Sequence, residues 1–140
     1  LENLKKLTKN MGLSKQILFL KSIDEDLKNS LLQKADLFLM PSIEEGKSVE
    51  GFGISFLEAS LLKTPCIGGK IGGASDAIQN GKTGYICDGN KHDEIYQNIL
   101  NILEPKKFLK MKKQSNKFAK TFAWEEQIKK YLKLIQNKRS

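Results

Sequence analysis

The chain has 140 residues, 39% apolar and 29% charged, with a net charge of +8; this is one domain's length, able to bury about two thirds of the surface its unfolded form exposes. No apolar run approaches the roughly 18 residues of a membrane span, and the opening LENLKKLTKNMGLSKQ lacks the apolar core and small-residue cleavage site of a signal peptide. Two cysteines and the single His92 are too few for a zinc site with the usual ligand count, so no metal is expected.

In chain order, residues 1–11 read as a helix, an unusual opening for a doubly wound domain and one that suggests a piece of a longer chain. ILFL (17–20), LFLMP (37–41), PCIGG (65–69) and GYICD (84–88) read as buried strands. The first three are continuous rather than alternating, as strands covered on both faces are. Helical patterns lie between them at 25–34, with Asp24 as N-cap, and at 55–63, 75–79 and 92–103. Such alternation predicts βαβ units around a parallel sheet. Cys66 and Cys87 fall within the apolar runs and are expected as free core thiols in a reducing cytosol.

The basic excess is confined to the end of the chain. Residues 1–103 carry a net −1 and residues 104–140 a net +9. There Phe108, Met111, Phe118 and Phe122, then Trp124, Ile128, Tyr131, Leu132 and Ile135, recur at helical spacing. Two amphipathic helices are expected, with lysines on their solvated faces and Trp124 as a core anchor. Attraction to an anionic membrane surface is the second reading of those lysines; nucleic acid is not expected as a partner, because aromatic and basic residues do not interleave as in a known module.

In open α/β sheets ligands sit beyond the carboxyl ends of the strands. Two glycine-bearing loops follow predicted strands, IEEGKSVEGFG after LFLMPS and KIGGASDAI after PCIGG. Two roles are open to Glu58. Ser55 and Glu58 match a capping box, in which each side chain satisfies the other residue's exposed amide. That role leaves Glu50, Gly51 and Gly53 unexplained. In the other, the glycines let the amino end of a helix approach a diphosphate, while Glu50 and Glu58 accept hydrogen bonds from sugar hydroxyls at either end of the ligand. For Gly72 and Gly73 a tight turn capped by Ser75 stands beside a place on the pocket floor. Asp76 reads as a first-turn carboxylate favoured by the helix dipole, and His92 as a helix start without a catalytic role.

Taken together, PSIEEGKSVEGFGISFLEASLLKTPCIGGKIGGASDAIQNGKTGYICD resembles the nucleotide-sugar-binding half of retaining GT-B glycosyltransferases of family 4. Its signature of two glutamates separated by seven residues is met by Glu50 and Glu58, and the similarity extends to both ends of the chain. The resemblance implies a Rossmann-like parallel sheet with helices on both faces, lacking its first strand region and ending in two amphipathic helices. It places Glu50 on the donor hexose as the catalytic-site carboxylate, Glu58 on the ribose, and Gly51, Phe52, Gly53 and Ile54 at the sugar and diphosphate. Lys21 and Ser22 would contact the base, although the family more often has glycine where Lys21 stands. Glu44 and Glu45 lack the required spacing to Glu58.

By the same resemblance, the family's phosphate-binding Arg and Lys and its acceptor-binding N-terminal domain lie outside this sequence. Residues 1–140 are therefore expected to be one donor-binding domain, inactive alone, within a cytoplasmic enzyme, peripheral at the membrane in the reading that gives the lysines that role. Its expected partners are a UDP- or GDP-sugar, the N-terminal domain and an acceptor, lipid-linked in the membrane reading; no cofactor is expected, and Asp24 to Asp26 reads as a helix cap rather than a metal motif. An epimerase or a glycogen- or sucrose-type synthase on the same architecture, or a non-catalytic nucleotide-binding module, are the alternatives.

Overall fold

A computed structural model describes residues 1–43 and 53–137 of the protein. Three strands, β1 (Phe38–Met40), β2 (Cys66–Gly69) and β3 (Gly84–Cys87), form one parallel sheet in the order β1-β2-β3. Ile67 of β2 is registered with Leu39 on one side and Tyr85 on the other. Every residue of β2 is buried, as its continuous apolar run requires of a central strand.

Successive side chains point to opposite faces of a strand, and this splits the interior into two layers. Phe38, Met40, Cys66 and Ile86 join the layer built around Phe56 and Ile78, while Leu37, Ile67, Tyr85 and Cys87 join the layer around Ile102 and Met111. The helices α2 (Glu25–Lys34), α3 (Ile54–Leu61) and α4 (Ala74–Ala77) serve the first layer, through Leu32, Phe56 and Ala74 among others. The second is covered by α5 (His92–Leu103) and the first half of α6 (Pro105–Ala119). α6 then crosses between them, placing Met111 in one layer and Ala119 in the other. Phe56, Ile67 and Ile102 are fully buried, and each contributes about 1.5–3 kcal/mol relative to an exposed side chain.

Local sequence sets several helix starts. The Asp24 carboxylate accepts a hydrogen bond from the Leu27 amide at 2.7 Å, capping α2 as expected. Glu104 caps α6 with both oxygens, accepting from the Lys106 and Lys107 amides at 3.1 Å each, and Pro105 fills the first helical position. α1 (Glu2–Asn10) and α7 (Trp124–Asn137) match the predicted helices at the two ends of the chain, and a 3-10 turn, Lys120–Phe122, precedes α7. Among the described residues no helix is long and apolar enough to cross a membrane.

Three expectations fail. Residues 17–20 form no strand; Leu18 is 79% exposed, and the Ile17 amide closes a turn onto the Leu13 carbonyl. An apolar run becomes a strand only where a neighbouring backbone completes its hydrogen bonds, and among the described residues none does so here. Ser75 does not cap α4: the helix begins at Ala74 after Gly73, with no side-chain cap. Trp124 is not a core anchor. It is 71% exposed, because the apolar face of α7, including Tyr131 and Ile135, turns away from both layers.

Cys66 and Cys87 are free and buried. Burial pushes the Cys66 thiol up to about 12, a shift that contact with Ser60 only partly offsets, and burial raises Cys87 as well.

Candidate functional site

The carboxyl ends of the three strands lie at one end of the sheet, and the described residues that follow them meet there. Close backbone approach makes this possible. A Cβ on Gly69 would collide with the Ser42 carbonyl, so only glycine lets the end of β2 lie this near the end of β1. A hollow of about 290 Å³ opens there, lined by Ser42, Lys70, Ile71, Asp88 and Asn90 among others. Its Asp88 carboxylate accepts from the Asn90 amide at 3.0 Å, which holds that carboxyl below the ordinary range.

The amino end of α3 stands at the same end of the sheet. Gly53 precedes it in the left-handed region, at φ 77°, ψ 41°. A side chain at this position would be strained by the backbone and would bring a Cβ within 2.8 Å of the Phe56 ring. The same Cβ would lie 3.5 Å from the Gly73 carbonyl, so Gly53 and the Gly72–Gly73 turn stand against each other. No side chain caps α3. The Phe56 amide donates to the Gly53 carbonyl at 3.0 Å, and among the described residues no cap serves the amides of Ile54 and Ser55 ahead of it, at the positive end of the helix dipole, an arrangement suited to an anion.

This geometry removes the capping-box role of Ser55. Helix α3 begins at Ile54, so Ser55 lies inside the first turn and Gly53 occupies the cap position. Packing decides the register: Phe56, Leu57, Ala59 and Ser60 face the buried layer, and the left-handed turn at Gly53 starts the helix two residues earlier than the local motif suggests.

Glu58 is half-buried on α3, and its Oε1 receives a hydrogen bond from Lys28 Nζ on α2 at 3.1 Å. The segment holding Lys21 and Ser22, both exposed, leads directly into α2, so the expected base loop and the expected ribose carboxylate are joined through one ion pair. Ile54 is 65% exposed at the mouth of the site. Gly72, at φ 84°, and Gly73 form the turn opposite Gly53. Glu44, Glu45, Glu50, Gly51 and Phe52 lie outside the described residues. Two cations escaped the sequence reading: Lys28 and Lys70, the latter loosely paired with Glu94 at 3.9 Å. Periodicity could have suggested Lys28, which shares the α2 face of Leu32 at i+4, whereas nothing local marks Lys70.

Comparison with known proteins matches the family model described as glycosyl transferases group 1 over residues 1–136. Over 105 residues, 74% of the chain, it is 36% identical to a GDP-mannose-dependent alpha-(1-6)-phosphatidylinositol monomannoside mannosyltransferase of Mycobacterium tuberculosis, and it spans 27% of that relative's length. The C-terminal domain of a glycosyl transferase group 1 family protein from Francisella tularensis superposes with a TM-score of 0.73 at 26% identity, covering 86% of this chain and 60% of that one. Sucrose-phosphate synthase from Thermosynechococcus elongatus shares the fold with a TM-score of 0.80 at 21% identity, over 97% of this chain and 33% of that one. The architecture is that of the C-terminal domain of a GT-B fold.

Proposed function

The chain belongs to the glycosyl transferases group 1 family, and we propose that it is the donor-binding domain of a retaining hexosyltransferase that works in glycolipid or surface-polysaccharide assembly. The observation that carries this reading is the uncapped amino end of α3, brought against the Gly73 loop by a left-handed Gly53. Amides at a helix start, fixed before the ligand arrives, stabilise the charge that grows on a departing diphosphate without reorganising. In this reading Gly51, Phe52, Gly53 and Ile54 face the donor sugar and diphosphate, and Glu50 holds hexose hydroxyls.

Glu58 takes the ribose. Lys28 engages one of its oxygens, and an ionised carboxylate has further acceptor sites for a hydroxyl. Lys21 and Ser22 border the base, and Gly72 and Gly73 form the pocket floor. The donor is a UDP- or GDP-linked hexose, a choice consistent with the GDP-mannose named for the mycobacterial relative. That relative's phosphatidylinositol acceptor supports a lipid-linked acceptor here and an enzyme peripheral to the inner face of the membrane. The acceptor site belongs to an N-terminal partner domain of the same enzyme, the remaining phosphate-binding cations to the opening strand and loop of the donor-binding domain itself, no metal takes part, and residues 1–140 alone turn over no substrate.

Calorimetric titration with UDP, GDP and their hexose conjugates tests the reading. One nucleoside diphosphate series binds saturably, and Glu58→Ala weakens it by about tenfold, the value of a charge-assisted hydrogen bond. Absence of saturable binding by either series would sink the proposal. Retention in the natural enzyme is checked by the anomeric configuration of its product, for which inversion is the disqualifying result.

A further inference from the structure

At the opposite end of the sheet, the turn 79–83 enters β3 beside α6. Two hollows of about 320 and 270 Å³ meet there, sharing Lys82 and Gln114. The first is walled by Lys82, Tyr85, Lys107, Lys110, Met111 and Gln114, and the second continues past Lys117, Phe118 and Thr121. Four lysines thus line one groove, and among the described residues no carboxylate lines either hollow. Among the described residues none of the four is ion-paired, whereas Lys5, Lys28, Lys70 and Lys129 all are.

Both walls are held in place. The Thr83 hydroxyl, 2% exposed as a residue, accepts from the Gln79 amide at 2.8 Å, and the Lys82 amide donates to the Gln79 carbonyl at 2.9 Å, which fixes the turn that presents Lys82. Glu104 fixes the start of α6 through the Lys106 and Lys107 amides, and buried Met111 anchors the helix on the sheet. Lysines at positions 107 and 110 are neighbours on a helix surface, and like charges at that spacing are unfavourable unless an anion lies between them.

We propose that this groove binds a phosphate ester, with the phosphate among Lys82, Lys107 and Lys110 and its carbon portion lying along Met111 and Phe118 towards Lys117. The chemistry fits: three ammonium groups act as point charges that meet a tetrahedral anion from several sides, and the Gln114 carboxamide and Tyr85 hydroxyl are neutral donors. The site is distinct from the donor end, from which the length of β3 separates it. A lipid headgroup and a soluble phosphate share this chemistry.

The test uses the natural gene product with whatever precedes Leu1 retained. Its probes are inorganic phosphate, pyrophosphate, and phosphatidylcholine vesicles with and without phosphatidic acid. The variant Lys82→Gln/Lys107→Gln/Lys110→Gln is compared with Lys5→Gln/Lys6→Gln/Lys9→Gln on α1, which removes the same charge. The groove variant is expected to lose about tenfold in affinity for whichever probe binds, and the α1 variant less than about twofold, as exposed charges contribute little. Lys82→Gln alone, on an exposed turn, gives a partial loss in the same direction. Binding to the vesicles only identifies the headgroup, and binding to the soluble anions identifies a free phosphate; either supports the site where the groove variant loses that binding, whereas pyrophosphate binding that the groove variant keeps belongs to the donor end and overturns a soluble-phosphate groove. Equal loss in both triple variants, no saturable binding of any probe, or preference for an RNA oligonucleotide of matched charge overturns it.

Discussion

Glu58 offers one oxygen to Lys28 and keeps acceptor capacity for a second partner, so the two residues are separable by mutation. Replacing Lys28 with Met changes stability by less than about 1 kcal/mol, as partly exposed ion pairs do. In the proposed site it also frees the Glu58 side chain to wander, weakening nucleotide binding less than Glu58→Ala does; calorimetry and urea denaturation of both variants check the pair. Gly53→Ala is more disruptive. The left-handed backbone and the Phe56 ring at 2.8 Å both oppose a Cβ, and a loss of about 1–3 kcal/mol is expected in the same denaturation experiment. Cys66 gives a pH signature. Its folded-state value of about 12 lies above the ordinary 9.0, so its contribution is fully present below 9 and is lost as pH rises towards 12. Native Cys66 therefore resists alkylation at neutral pH, and Cys66→Ala flattens part of the alkaline decline in melting temperature.

At the scale of elements, α2 depends on its cap: Asp24→Ala removes the bond to the Leu27 amide and costs about 1 kcal/mol, read by denaturant midpoint. This cap was legible because its signal is local, an acid just ahead of a periodic run. Strands β1, β2 and β3 were legible for a related reason, short apolar runs bounded by turn residues. The run at 17–20 looked equally strand-like, but pairing depends on a second backbone that the run itself cannot specify. Ser55 shows the same limit. Its capping motif is intact in sequence, yet the burial of Phe56 and the left-handed turn at Gly53 set the helix start elsewhere. In the candidate site, Gly53 and the Gly72–Gly73 turn were picked out from sequence, whereas the Lys28 to Glu58 pair spans 30 positions and depends on how α2 and α3 pack.

At the scale of the whole molecule the two proposed sites occupy opposite ends of one sheet, one at Gly53 and the Gly72–Gly73 turn beyond the carboxyl ends of the strands, the other at the lysine groove by the amino end of β3. Trp124, the sole tryptophan, reports on the outer face of α7. Its periodic apolar neighbours revealed an amphipathic helix but not what that face meets, since periodicity identifies a face and not its cover. In residues 1–140, acrylamide is expected to quench its fluorescence nearly as well as that of a free indole; strong protection in this chain would contradict the exposed placement.

Helix α6, which seats Met111 on one side of the sheet and Ala119 on the other, has a final consequence for cooperativity. Lifting this one helix floods both oily layers at once, so neither can melt while the other persists. Amide protons of β2 should consequently exchange with deuterium only through global opening, and a proteolytic nick at Glu104 should dismantle the interior in a single event.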